Sequence, residues 1–256
     1  MLEKFKMTDQ VAIITGAGRG VGKGIALSFA DAGAHVVCTS RTLEQSQATA
    51  ALISAQGRKS LALPVDVRKA EQVDDMVKKT LDVFGRIDVL VNNAGATFFS
   101  PLMGTSQNGF EAILRENLVS CFLCSKAAGK VMIEQKKGNI INISSRSGQM
   151  GTMNMGPYGA AKAGMNNLTE TLAWELVAHN IRVNCLTLGP VLTEVNHDLF
   201  MKDPDKEMAN LLIKRFGLPE DVGAFCVFLA SEASSWITGK VFEIDGGLRT
   251  TFNQVF

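Results

Sequence analysis

One tyrosine stands among 256 residues, beside fourteen phenylalanines. Where bulk alone is wanted the chain uses phenylalanine, so the lone phenol, Tyr158, becomes a candidate for chemistry. No run of Lys or Arg exceeds two residues and the net charge is +1. That excludes the basic patch a nucleic-acid partner needs, though not a small anionic ligand. No apolar stretch approaches the roughly 18 residues of a membrane span. The opening MLEKFKMTDQ is mixed in charge and lacks a signal-peptide core, and Arg-rich transit signals are absent. The five cysteines (Cys38, Cys121, Cys124, Cys185, Cys226) are scattered, and an odd count rules out a full disulfide framework. Cys121 and Cys124 form a C-x-x-C with neither a second pair nor a histidine at metal spacing, so they read as apolar helix positions, and no metal site is expected. The three histidines read as bystanders: His35 as a surface residue opening a strand, His179 as a partner of a helix C-terminus, His197 in a charged segment. Repeats, low-complexity tracts and linkers are also missing. A soluble protein of a reducing compartment, the cytoplasm, is expected.

What is present suits one large α/β domain over residues 1–256, with 46% hydrophobic and 20% charged residues. Val11 to Thr15, VAIIT, is a short β-branched run, a buried strand. It leads into Gly16-Ala17-Gly18-Arg19-Gly20-Val21-Gly22 and then a helical pattern with Ile25, Ala26, Phe29 and Ala30 on one face. Strand, glycine-rich turn and helix N-terminus together make a cradle for phosphate, since glycines let a ligand approach the backbone and the helix offers free N–H groups. A second strand, Ala34 to Thr39, ends at Ser40-Arg41-Thr42. An acid there would bind the ribose hydroxyls of NAD, whereas a base accommodates the phosphate of NADP. Arg41 and Arg19 are two cations on that side, and the reading is NADP(H) in preference to NAD(H). A third strand, Ser60 to Val65, carries Pro64, which suggests an irregular end. Asp66 and Val67 follow, with Asp66 placed to receive an adenine amino group. A fourth strand, Ile87 to Val91, ends in Asn92-Asn93-Ala94-Gly95, small residues against which a flat ligand can lie. One helix is expected from about Phe110 to Ile133, with Asn117 as a satisfied core amide or the holder of a proton-relaying water.

The segment from Ser145 to Lys162, SRSGQMGTMNMGPYGAAK, follows a fifth strand, Asn139 to Ile143. Tyr158 and Lys162 share one helix face at i and i+4. A tyrosine titrates at about pH 10, and a nearby cation lowers that value. The phenol can then exchange a proton with a substrate oxygen, while Ser145, at a strand end, holds the same oxygen. Such a carbonyl/alcohol site needs a hydride donor. Beyond a sixth strand, Ile181 to Leu186, lie Gly189, Val191 and Thr193. Residues 194–216 are charged and aperiodic, a mobile lid in this reading. A helix from Pro219 to Ala230 and a strand from Val241 to Ile244 close the pattern.

The alternation of strands and helices predicts a doubly wound parallel sheet covered on both faces. Thr15-Gly16 through Gly22, Asp66, Asn92 to Gly95, Asn117, Ser145, Tyr158, Lys162, Asn184 and Asp245-Gly246-Gly247, in this order, resemble the short-chain dehydrogenase/reductase family over nearly the whole chain. The resemblance implies Tyr158 as general acid/base, Ser145 as orienter of the carbonyl, Lys162 on the nicotinamide ribose, Asn117 in a proton relay and Thr193 near the carboxamide or phosphates. It implies a small carbonyl or alcohol substrate and a homo-oligomer, a tetramer first. Leu188-Gly189-Pro190 departs from the family's Pro-Gly and puts one pocket wall in question. Ala96 to Phe99, Arg146, Gln149, Met150, Met153, Met155 and Val191 are candidate substrate contacts, with Arg146 meeting a carboxylate or phosphate or lying in solvent. A 3-oxoacyl or enoyl thioester reductase, a silent cofactor sensor, and an epimerase or dehydratase stand as alternatives.

Overall fold

The computed structural model describes residues 2–248. Its centre is a sheet of seven parallel strands in the order β3-β2-β1-β4-β5-β6-β7, with β1 Val11–Thr15, β2 His35–Ser40, β3 Ser60–Pro64, β4 Val89–Asn92, β5 Gly138–Ser145, β6 Ile181–Leu188 and β7 Val241–Ile244. Every residue of β1 is buried, as a central parallel strand covered on both faces requires. Alternate side chains serve opposite cores. Ala12 and Ile14 join Ile25 and Phe29 of α1 (Gly20–Asp31), Ile53 of α2 (Leu43–Ala55), and Val222 and Leu229 of α9 (Pro219–Ala230). Ile13 joins Val73 and Met76 of α3 (Ala70–Phe84), Met132 of α5 (Ser120–Gln135) and Ala173 of α6 (Gly156–Leu176) on the other face. Pro64 closes the edge strand β3, where a missing N–H costs no internal ladder bond.

The predicted helix across 110–133 is interrupted. Helix α4 covers Gln107–Leu114, a single π-helical turn runs Arg115–Val119, and α5 continues from Ser120. Asn117 and Ser120 hold this bulge: the Asn117 amide donates to the Ile113 carbonyl at 3.0 Å, and Ser120 Oγ to the Glu116 carbonyl at 2.7 Å. Nothing in the apolar period shows such a turn, because one extra residue displaces the stripe without breaking it.

The Leu188-Gly189-Pro190 departure is absorbed by the sheet. Leu188 remains in β6, opposite Ser145 of β5 and Ile244 of β7. Gly189 N donates to Ile244 O at 3.0 Å. Beyond it, Leu192 N donates to Gly217 O at 2.8 Å and Gly217 N to Pro190 O at 3.0 Å. The intervening segment is not aperiodic throughout: it holds two short helices, α7 His197–Phe200 and α8 Pro204–Met208, and Phe200 stacks on Phe216 at 5.1 Å between centroids. Asn184 works within the fold, donating to Ile237 O at 3.1 Å and accepting from Lys240 N at 3.1 Å. His35 is half-buried, stacked on Phe84 at 5.9 Å, and burial followed by the Arg58 charge pushes its pKa down. It is a packing residue rather than a surface one. No helix among the described residues is long and apolar enough to cross a membrane.

Candidate active site

The strand order reverses between β1 and β4, the place where doubly wound sheets hold ligands beyond their carboxyl ends. A cleft of about 650 Å³ opens there. Gly16, Gly18, Arg19, Gly20, Val21, Gly22, Ser40, Arg41, Asp66, Val67, Asn93, Ala94, Gly95, Gly189, Val191 and Thr193 line it together with Asn117, Ser145, Tyr158 and Lys162. Ala17 and Asn92, named with them from the sequence, lie outside this lining: Ala17 is buried, and Asn92 donates to Ser125 Oγ at 2.9 Å and Asn142 Oδ1 at 2.8 Å.

Its glycine loop is shaped by contact as well as by conformation. Gly20 has φ +56°, a backbone setting that other residues resist. A Cβ on Gly22 would collide with the Gly16 carbonyl oxygen and Asn93 Nδ2. The loop is pinned to β4 by Thr15, whose Oγ1 accepts from Asn93 N and Ala94 N, each at 3.0 Å, and donates to Val91 O at 3.2 Å. Asn93 spends its amide on the same purpose, donating to Thr15 O at 2.9 Å and Gly16 O at 3.3 Å. The sequence treats Thr15 as the end of a strand; a hydroxyl immediately before the glycines is the signal that marks its second task.

On the β2 side four charges form a chain. Arg68 grips Asp66 with two bonds, Nε to Oδ1 at 2.8 Å and Nη2 to Oδ2 at 2.7 Å. Glu116 then lies 3.2 Å from Arg68 and 3.6 Å from Arg41. The Arg68 guanidinium holds Asp66 down to about 2, against the smaller opposing effect of burial. The carboxylate expected to await an adenine is therefore already engaged by Arg68. Arg41 remains 59% exposed. Ser40 Oγ turns inward, bonding Thr42 O at 2.6 Å and Ser46 Oγ at 2.7 Å. Glu116, unremarked in the sequence, reaches the cleft because the π turn aims it there.

On the β5 side Lys162 and Asn117 are buried, while Ser145 and Tyr158 are partly exposed. Lys162 is 3% exposed, and its Nζ donates to Ile143 O at 2.8 Å. That ammonium lies 5.5 Å from the centroid of the Tyr158 ring. Tyr158 sits in the first turn of α6, after Pro157, which suits a helix start. Ser145 ends β5, and its Oγ accepts from Ser147 N at 3.2 Å. Its neighbour Ser144 is 3% exposed and turned back to the Lys162 carbonyl at 3.3 Å. Asn117 is wholly buried; Nδ2 donates to Ala96 O at 2.8 Å and to Ile113 O, while Oδ1 has no partner. A Cβ on Gly95 would strike that Oδ1 and come within 3.7 Å of Lys162 Nζ. An unpaired buried acceptor costs stability unless something is meant to bind it.

Some expected substrate contacts lie elsewhere. Arg146 is neither solvated nor in the cleft: it is 13% exposed, paired with Glu243 and lying 3.1 Å from Asp245. Two acids at the end of β7 draw it away. Ala96, Thr97 and Val191 do line the cleft, whereas Met153 is 86% exposed outside it. Glu194, Asn196 and Phe200 come from the segment after β6. Glu194 Oε1 accepts from Gly20 N at 2.9 Å, and Asn196 and Phe200 line the cavity. His179 and His197 stay outside its lining, and the five cysteines are buried. The described residues hold no cluster of metal-ligating side chains.

Sheet, switch-point cleft and glycine loop together define a Rossmann-type α/β protein. A family model described as enoyl-(acyl carrier protein) reductase matches residues 16–249. A 3-oxoacyl-[acyl-carrier-protein] reductase of Synechocystis sp. is 40% identical, over 94% of this chain and 98% of that one. Two solved structures superpose closely. A gluconate 5-dehydrogenase from Burkholderia cenocepacia in complex with NADP and tartrate has TM-score 0.92, 31% identity, and covers 96% and 98% of the two chains. A 7α-hydroxysteroid dehydrogenase complexed with NADH and 7-oxo glycochenodeoxycholic acid has TM-score 0.94, 29% identity, and covers 99% of both. The chain belongs to the short-chain dehydrogenase/reductase family and is an oxidoreductase.

Proposed function

We propose that the protein is an NADP(H)-dependent oxidoreductase interconverting a ketone and a secondary alcohol, with Tyr158 as general acid/base. The observation that carries this is the junction of two sites in one cleft: a glycine loop flanked by Arg19 and Arg41, and a cluster of Ser145, Tyr158, Lys162 and Asn117. The cradle that a Cβ at Gly22 would fill and the orphaned Oδ1 of Asn117 both fit a dinucleotide and its proton relay.

A bound nicotinamide supplies the hydride chemistry at that cluster. Ser145 Oγ donates to the substrate oxygen and fixes the carbonyl. Tyr158 Oη gives its proton to that oxygen as the carbonyl carbon is reduced, and takes a proton in the reverse direction. Lys162, anchored by Ile143 O, binds the ribose hydroxyls and hands a proton onward to a relay water held at the Asn117 turn. Arg41 reaches for the 2′-phosphate.

For the substrate, the resemblance to the Synechocystis enzyme favours a 3-oxoacyl thioester. The family model's description names enoyl reduction; the presence of both Ser145 and Tyr158 favours carbonyl chemistry over alkene reduction. Residues 1–256 act as one domain in the cytoplasm, with 194–216 as a mobile lid over the substrate. Exposed Phe122, Trp174 and Val177 on and just after α5 and α6 suit burial in a homotetramer.

The test is oxidation of NADPH and of NADH with a 3-oxoacyl thioester, a steroid ketone, a keto-sugar and a vicinal diketone. Faster turnover with NADPH and the thioester is expected. Preference for NADH overturns the cofactor assignment, and tight NADPH binding without turnover on any ketone overturns the carbonyl assignment.

A further inference from the structure

Glu194 takes no part in the chemistry above, yet its carboxylate reaches the phosphate-binding end of α1. Its Oε1 accepts from Gly20 N at 2.9 Å across 174 positions of sequence, so the contact belongs to the tertiary fold. Gly20 opens a 12-residue helix whose N-cap residue, Arg19, offers no side-chain cap. The first N–H groups of a helix and its dipole favour an anion of any kind. Here the fold supplies one of its own. Burial opposes the charge on Glu194, but the Gly20 N–H, with Lys23 and Arg19 nearby, holds its carboxyl below the usual value.

The carboxylate is presented by a stiff turn. Thr193 N and Oγ1 both donate to Asn196 Oδ1, at 2.8 and 3.1 Å, and Asn196 Nδ2 returns to Val191 O at 2.8 Å. A Cβ placed on Gly20 would lie 3.5 Å from the Thr193 methyl. The root of the 194–216 segment is therefore docked on the glycine loop by one ion-to-N–H bond, with the Thr193 methyl facing the Cα of Gly20 on the side a Cβ would occupy.

We infer that Glu194 is an internal anion that competes with the pyrophosphate of a dinucleotide for the N-terminus of α1, and that dinucleotide binding detaches the root of the 194–216 segment from the glycine loop. The inference rests on the dinucleotide reading and goes beyond it. A phosphate oxygen and a carboxylate oxygen cannot both take one N–H, and two anions held that close repel. Glu194 thus weakens every ligand that carries a pyrophosphate and is blind to base and 2′-phosphate. It also caps α1 when no phosphate is there, so its removal has effects of opposite sign on the free protein and on the complex.

The experiment is calorimetric titration of wild-type protein and Glu194→Gln with ADP-ribose, NADPH, NADH and adenosine, with thermal melts of both proteins. Glu194→Gln is expected to bind ADP-ribose, NADPH and NADH about three- to tenfold more tightly, by one common factor, with adenosine unchanged and a lower Tm without ligand. Equal or weaker binding of ADP-ribose by the variant overturns the inference, as does an equal gain for adenosine. If neither protein binds ADP-ribose, the dinucleotide reading falls and this inference with it. A second measurement needs no variant: hydrogen exchange of the wild-type protein should rise at 193–200 on adding ADP-ribose while it falls at 16–22. Protection of both segments overturns the detachment.

Discussion

The two ends of the cleft solve the problem of holding charge in opposite ways. On the β2 side Asp66, Arg68, Glu116 and Arg41 satisfy one another in a chain that solvent reaches, with Arg41 59% exposed. On the β5 side Lys162 is 3% exposed and leans on a single carbonyl, and Asn117 keeps an acceptor with no partner at all. Exposed pairs are screened and individually weak, whereas buried polar groups left unpaired are costly. The β2 side is thus a region of charges that satisfy one another within reach of solvent. The β5 side is one where buried polar atoms are held with few partners.

Substitutions at the two ends put that contrast to work. Tyr158→Phe removes only the hydroxyl, and kcat should fall on the order of a thousandfold while NADPH binding, measured by fluorescence, stays within about twofold. Near-full turnover by a folded variant removes Tyr158 from the acid's role. Next in size is Arg41→Ala. It should weaken NADPH about five- to tenfold, leave NADH unchanged and spare kcat; an equal loss for both cofactors would mean that Arg41 reads something other than the 2′-phosphate. The smallest effect is expected for Arg68→Ala. Asp66, held at about 2 by Arg68, contributes stability that is complete above its usual value and lost as pH falls through the lowered one. Freed of Arg68, its carboxyl should titrate nearer 3.8 by NMR, and the variant should be less stable than the wild type above that pH, with the difference shrinking as pH falls through the lowered value. An unmoved Asp66 would show that the Arg68 guanidinium is not what holds it.

The β2 side was the less legible of the two in the sequence. Local patterns carried the strands, the glycine loop and the cations, because a buried strand and a tight turn each leave a mark within a few residues. The Ser145, Tyr158 and Lys162 grouping was readable for the same reason: a strand end and one helix turn fix it. What escaped depends on pairing across distance. Arg146 looked available until Glu243 and Asp245, a hundred residues on, claimed it. Glu116 owes its direction to a π turn that leaves the apolar stripe intact. Glu194 matters only through an N–H 174 positions away. The half-buried His35 likewise depends on Phe84 for its stacking.

The parallel bridge between Val191 and Gly217 has one more meaning. It draws the two roots of the 192–216 excursion together, while Leu211, buried and bridged to Leu248, ties the later part of the excursion back to the body. The entropy of closing such a loop grows only slowly with its length. The stretch between these ties, 195–210, can lengthen or shorten without any strand of the sheet shifting register. The fold therefore keeps its sheet and this stretch as separately replaceable parts.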